Sequence, residues 1–328
     1  MIGIELDKLA GCAGIADLCA EVRAVRDAAR GAIEEILCDV DAQAGSASCT
    51  SRVRQAAAVA LSTDINLEHC LPFLIADAFG VSDLRRIVAV GSTCGIYVAY
   101  AKVIDAVLDG DLDGRDIQVA IVVANRLYGR AIAEMTVAVP NSRIRAGIDA
   151  FLAHHAAPFD AFLFQSQRTE PLTVRSYEHV ARNAAAFRKI VVDLLQLCGS
   201  RSEGRERLYA ALDDLAVSNQ LVDDFEDWER DREQGTKTLL LAMVSRRTGD
   251  GRGPDRIAEC ILSPDFLDEY FALVTSYYDA AASSSNAAGA PHLAAAIRQI
   301  SAGVARFSEL AKMSSARVTM GKVEELCL

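Results

Sequence analysis

The chain has 328 residues, 51% of them hydrophobic and 24% charged, with a net charge of −11 and a mean hydropathy of +0.17. This composition excludes a disordered chain and a polytopic membrane protein, and the acidic surplus repels nucleic acid and anionic lipid. Its 55 alanines stand against 21 glycines and 7 prolines, so helix formers far outnumber helix breakers.

Apolar residues recur at three- and four-residue spacings through Leu6–Leu37, Val53–Leu61, Leu67–Phe79, Leu84–Leu108, Ile117–Val137, Ile144–Phe164, Tyr177–Leu197, Arg205–Glu233, Arg256–Tyr278 and His292–Lys312. That period predicts about ten helices. Small polar or glycine-bearing stretches punctuate them at Asp41–Thr50, Gly110–Gly114, Gln165–Thr173 and Gly249–Pro254, as turn chemistry requires. The run Ala280–Ala290 is low in complexity and reads as a mobile loop. Ile117–Ala124 is the only β-branched run, and without partners it fits a buried helix better than a strand. No linker divides the chain, so the expectation is a single all-α domain over residues 1–328, an antiparallel bundle around a central apolar cavity. The nine cysteines are odd in number, scattered and free of Cys-x-x-Cys pairs, the pattern of reduced core thiols in a cytoplasmic protein. The first ten residues lack the basic-then-apolar order of a secretory signal.

The most informative segment is Asn219–Thr238, NQLVDDFEDWERDREQGTKT. On a helix, Asp223, Asp227 and Asp231 fall at i, i+4 and i+8 and share one face, with Asp224 about 100° around. Magnesium takes few protein carboxylates and completes its shell with water and phosphate oxygens, so such a row suits a metal–diphosphate complex. The bland alternative is a solvated face balanced by Arg230 and Arg232. Against it, these acids are aspartates, poor helix formers, set among Leu221, Val222 and Phe225. A second pair, Asp105 and Asp109, closes the apolar stretch Tyr97–Asp109. Alone it reads as capping and turn chemistry; with the first row it can face a shared metal cluster across a bundle.

At these residues the sequence resembles the class I isoprenoid synthases, the all-helical superfamily of prenyl diphosphate synthases, squalene/phytoene synthases and terpene cyclases. Gln220-Leu-Val-Asp223-Asp224-Phe-Glu-Asp227 is similar to the second aspartate-rich motif of prenyl diphosphate synthases, and Gly235-Thr-Lys237-Thr238 to the glycine–lysine step after it. Asp223, Asp227 and Asp231 also match the register of the terpene-cyclase metal triad, with Arg230 as its basic residue. Asp105-x-x-x-Asp109 resembles the first motif of squalene/phytoene synthases. Tyr177 to Phe187 resembles the segment carrying a Lys-Thr pair, with Arg182 in the lysine's place. The likeness covers about residues 94–240.

The resemblance implies about three Mg²⁺ ions held by Asp105, Asp109, Asp223, Asp224, Asp227 and Asp231, of which Asp105, Asp109, Asp223 and Asp227 are the catalytic core. It implies diphosphate binding by Arg182, Arg230 and Lys237. The substrate pocket falls to Gln220, Phe187 and Tyr97, the last beneath the metal site with small Cys94 and Ala101 beside it. The substrate would be a C15–C25 prenyl diphosphate, without nucleic acid or stable membrane insertion, and the fold leaves room for a homodimer. Two departures matter. The basic Gly-Gly-Lys-x-x-Arg-Pro segment and the arginines after the first motif, which hold a second diphosphate in chain-elongating relatives, have no match. Arg52 and Arg54 are the nearest substitutes, and Gly110–Gly114 is acidic. The first expectation is therefore a Mg²⁺-dependent terpene cyclase, a carbon–oxygen lyase working on one substrate. A prenyltransferase joining two substrates is the alternative within enzymes, and a non-catalytic helical subunit the alternative outside them.

Overall fold

A computed structural model describes residues 19–45, 49–57, 67–155, 172–249 and 253–326. The described residues form fourteen α-helices and no strand. In chain order they are α1 (Cys19–Ala44), α2 (Ser51–Ala56), α3 (Leu67–Ile75), α4 (Leu84–Leu108), α5 (Gly114–Ala138), α6 (Ile144–His155), α7 (Val174–Ala184), α8 (Ala186–Cys198), α9 (Arg205–Glu226), α10 (Trp228–Gln234), α11 (Leu239–Thr248), α12 (Pro254–Ile261), α13 (Pro264–Ala287) and α14 (Pro291–Leu326). Ile117–Ala124 lies within α5, helical as its lack of strand partners implied, but it is not a buried stretch, since Ile121 and Val122 are exposed.

Helix starts follow local chemistry. The Asp83 side chain accepts the backbone N–H of Arg85 ahead of α4. Thr173 and Ser176 form a reciprocal capping box on α7, and Thr238 accepts the Leu241 N–H to open α11. Each cap satisfies a donor that the first turn leaves without an intrahelical partner.

The helices pack as neighbouring pairs: α4 lies against α5, α1 and α3, while α9 lies against α13 and α7. Helix α8 touches both α4 and α9 and so spans the space between them. Gly91 and Gly95 let α1 come close to α4, because a Cβ there would stand 2.8 Å from Val25 Cγ1 and from Ala29 Cβ respectively. One apolar core joins these helices, from Val22 on α1 to Val304 on α14. Helix α4 is long and apolar enough to cross a membrane, yet 67% of its most apolar window is buried in the bundle.

Three expected helices are divided. Tyr177–Leu197 breaks at Ala185, Arg205–Glu233 at Asp227, and Arg256–Tyr278 at Leu262–Ser263. The last break has a plain cause, since Pro264 occupies the first turn of α13 and starts a new helix. Helix α11 has no counterpart in the apolar reading; its arginines and the flanking glycine mask a short amphipathic turn pair. The loop expected at Ala280–Ala290 is instead helical up to Ala287. Alanine's helix propensity and the burial of Ala281, Ala282 and Ser285 against the core outweigh the low complexity of this stretch. The expected starts and ends at Leu6, Leu61 and Phe164, and most of Gln165–Thr173, lie outside the described residues.

Candidate active site

The second aspartate row sits where α9 gives way to α10. Asp227 is the hinge residue, with φ −104° and ψ 10°, ending one helix and starting the next. The helical hydrogen-bond register survives the break: Asp227 N–H donates to the Asp223 carbonyl at 2.9 Å and Asp231 N–H to the Asp227 carbonyl at 3.0 Å. The i, i+4, i+8 spacing therefore persists across two helices. Gly235 then closes α10 at φ +72°, a left-handed geometry that favours glycine. The chain turns through Thr236 and Lys237 to the Thr238 cap.

These residues enclose a cleft of about 140 Å³ lined by Tyr177, Val180 and Ala181 of α7, by Gln220, Asp223, Asp224, Asp227 and Asp231, and by Leu172 and Thr236–Thr238. Pockets for drug-sized ligands run to roughly 300–1,000 Å³, so this cleft is smaller than a complete site for a ligand of that size.

Asp224 lines the cleft although only 2% of it is exposed. Burial pushes its carboxyl up to about 7, opposed by Gln220, which donates from Nε2 to Oδ1 at 3.2 Å, by Tyr177, and by the backbone at Leu239. Its Oδ2 and the Tyr177 hydroxyl are both buried without completing a hydrogen bond. Asp223 and Asp231 are also raised, by burial first and then by neighbouring aspartates. Asp227 is half exposed, with Arg230 Nη1 at 3.9 Å from its Oδ2.

Across from this row, Asp105 lies on the last turns of α4 and Asp109 caps its end. Lys102 Nζ donates to Asp105 Oδ2 at 3.0 Å. Burial, then Asp105 and Asp111, raise the Asp109 carboxyl, while Lys102 and Arg230 pull it down. Lys102 likewise pulls down Asp223. Lys102 of α4 and Arg230 of α10 thus each act electrostatically on an aspartate of the other row.

Among the cations expected at the diphosphate, Lys237 lines the cleft, and Arg230 does not line it but stands 3.9 Å from Asp227, which does. Arg182 does not line it: its Nη2 is 3.4 Å from Asp214 and 3.7 Å from Glu178. Gln220 lines the cleft, as expected. Tyr97 does not. It is sealed among Tyr100, Tyr128 and Phe151, with ring centroids at 5.4, 6.3 and 5.5 Å, because its face of α4 turns toward α5 and α6. Phe187 lies under the Arg188 guanidinium at 4.9 Å and is not among the residues that line the cleft. Of the nearest basic substitutes, Arg54 is engaged by Glu34, Asp41 and Thr50, while Arg52 stands 4.0 Å from Asp116 and stays largely exposed. Tyr177, Thr236 and Thr238 also line the cleft, and the sequence reading assigned none of them a role in the site.

The donor set at this mouth is carboxylate oxygen, the chemistry of a hard divalent cation. Among the described residues no three Asp, Glu, His or Cys side chains converge on one point. An ion held here by Asp105, Asp109, Asp223 or Asp227 would take much of its shell from water and phosphate oxygens, which is how magnesium binds. The orphaned Asp224 Oδ2 adds a further acceptor beside that space.

No protein-family model and no curated protein matches the sequence. Solved structures do match the fold. A geranylgeranyl pyrophosphate synthetase from the archaeon Geoglobus acetivorans superposes with TM-score 0.65 at 14% identity, covering 86% of this chain and 99% of its own. A polyprenyl synthase from Caulobacter crescentus, complexed with calcium and isoprenyl diphosphate, gives TM-score 0.65 at 16% identity over 89% and 97%. A geranylgeranyl pyrophosphate synthase from Corynebacterium glutamicum, complexed with isoprenyl diphosphate and magnesium, gives 0.63 at 14% over 83% and 98%. The all-α isoprenoid synthase fold is the fold of this chain.

Proposed function

From an isoprenoid synthase fold with two aspartate rows at one mouth, we propose that this chain is a divalent-metal-dependent enzyme that ionises an allylic prenyl diphosphate. What supports the reading is the cleft at the end of α9, lined by Asp223, Asp227, Asp231 and Lys237, with the α4 aspartate Asp109 near enough for Arg230 of α10 to act on it. Bound Mg²⁺ would neutralise the diphosphate and stabilise the charge it carries away. The chain's own part is then to hold the rows in register through the Asp227 hinge. Lys237 offers its ammonium to the leaving oxygens. The apolar wall of Leu172, Val180 and Ala181 keeps water from the reacting carbon.

For the fate of the cation, the solved structures similar to this chain favour a prenyltransferase over the cyclase expected first. With the carbon–oxygen bond to diphosphate broken, the allylic cation adds to the double bond of a second prenyl substrate, and the resulting cation loses a proton to the released diphosphate, leaving a new carbon–carbon bond. One observation keeps the cyclase as a second reading. Arg54 is held by Glu34 and Asp41, and no arginine follows Asp109 before Arg115, so the basic groups expected to seat a second diphosphate have no match among the described residues. Incubation with Mg²⁺ and C10 to C25 allylic diphosphates, with and without isopentenyl diphosphate, separates the two. A longer diphosphate formed only with both substrates supports the prenyltransferase, and a hydrocarbon or alcohol from one substrate supports the cyclase. No release of diphosphate from any substrate refutes both and leaves a helical partner subunit. Three Mg²⁺ ions and a cytoplasmic location complete the proposal.

A further inference from the structure

Two buried oxygens from different helices face the cleft without a partner inside the protein. Tyr177 of α7 and Asp224 of α9 are 6% and 2% exposed and both line the cleft, yet the Tyr177 hydroxyl and Asp224 Oδ2 complete no hydrogen bond. Asp224 Oδ1 is occupied, accepting from Gln220 Nε2 at 3.2 Å. Folded chains pair nearly all such buried atoms, so an unpaired couple on one cleft points to a ligand that carries the missing partners. The tyrosine is also firmly placed. The Thr173–Ser176 capping box sets the start of α7, the Tyr177 N–H donates to the Thr173 carbonyl at 3.0 Å, and Arg246 Nη2 holds the carbonyl of Leu172, another wall of the cleft, at 3.2 Å.

The chemistry of the couple narrows the ligand. A carboxylate only accepts hydrogen bonds, whereas a phenol has one hydrogen to donate. Bare diphosphate would satisfy the phenol and repel the carboxylate; a bare cation would satisfy the carboxylate and leave the phenol hydrogen unpaired. A hydrated metal–diphosphate complex meets both, because magnesium keeps several of its waters when it binds phosphate. We propose that Tyr177 is a diphosphate-binding residue whose hydroxyl donates to a phosphate oxygen, beside Asp224 Oδ2, which accepts from a water of the hydrated ion. The inference rests on the function proposed above and adds to it a neutral donor from α7. Its rival is a hydrogen bond closed between Tyr177 and Asp224 themselves, which binds nothing.

Tyr177→Phe separates the two, since it keeps the ring and removes one oxygen. Thermal melting followed by circular dichroism in chelator reads the ligand-free protein, and titration calorimetry with inorganic diphosphate in Mg²⁺ reads the complex. The variant should melt at or above the wild-type temperature, because a buried hydroxyl without a partner is gone, while its affinity for diphosphate falls by about tenfold or more, the worth of a hydrogen bond to a charged group. A lower melting temperature would show that the hydroxyl is bonded within the protein and would overturn the inference. Unchanged diphosphate affinity would overturn it as well, and wild-type binding in the same titration would leave the proposed function standing. Failure of the wild type to bind diphosphate even with Mg²⁺ would remove the proposed function, and this inference with it.

Discussion

Asp224→Asn should make the metal-free protein more stable, and only where the carboxyl would be ionised. The replacement keeps the shape and the acceptor used by Gln220 while removing the charge. Burial raises this carboxyl from 3.8 to about 7. At about 1.4 kcal/mol per pKa unit the ionised form then costs the fold up to about 4 kcal/mol, and relaxation around the site brings the expected gain to roughly 2–4 kcal/mol. Because the folded value lies above the unfolded one, the folded chain holds the proton longer. Wild-type stability is full below the ordinary aspartate range and is lost as pH rises through about 7. Urea unfolding followed by circular dichroism, in chelator, should thus give equal midpoints for the two proteins near pH 4 and a higher midpoint for Asp224→Asn near pH 8. A gain that is the same at both values, or no gain at the higher one, would refute the claim that a desolvated charge is what the substitution relieves.

Asp223→Asn should abolish diphosphate release while leaving the melting temperature near wild type, since it removes one charge from a mutually repelling set; a sharp fall in melting with turnover intact would make the row structural. Lys237→Ala should weaken binding of inorganic diphosphate in the presence of Mg²⁺ by roughly 1.5–3 kcal/mol, the worth of a charge-assisted contact, as read by calorimetry. Glu68→Gln should destabilise the protein by about 3 kcal/mol, because it strands the Arg188 guanidinium in a largely buried place. Arg188 Nη2 lies 2.6 Å from Glu68 Oε1 and holds that carboxyl below its usual range. The pair's contribution is therefore present above the ordinary glutamate range and fades as pH falls below it. An unchanged urea midpoint at neutral pH would count against it.

The all-α fold was legible because helix formers dominate and apolar residues keep a helical period over long stretches. The second aspartate row was legible for a narrower reason: four aspartates among apolar neighbours inside a helix contradict both propensity and burial unless something binds them. Periodicity carried no information about where helices break. Asp227 keeps the hydrogen-bond register on both sides, so the apolar pattern runs through it undisturbed. Side-chain direction was equally hidden for Arg182, whose position in the motif reads as basic while its neighbours on α7 and α9, Glu178 and Asp214, claim the guanidinium. Tyr97 failed for the same cause. The face on which a residue lies follows from its number, but the helix that covers the face does not.

The break at Asp227 and the glycine turn at Gly235 bound a seven-residue helix, α10, that carries Asp231 and Arg230. Such a segment behaves mechanically as a short link with a joint at each end, set on the stiff rod of α9. Its orientation is set by the backbone at these two joints and by Trp228, which packs against the core. For protein engineering, substitutions at Asp227 and Gly235 are therefore the most direct way to vary the geometry of the outermost ligand, with Trp228 as the anchor to keep.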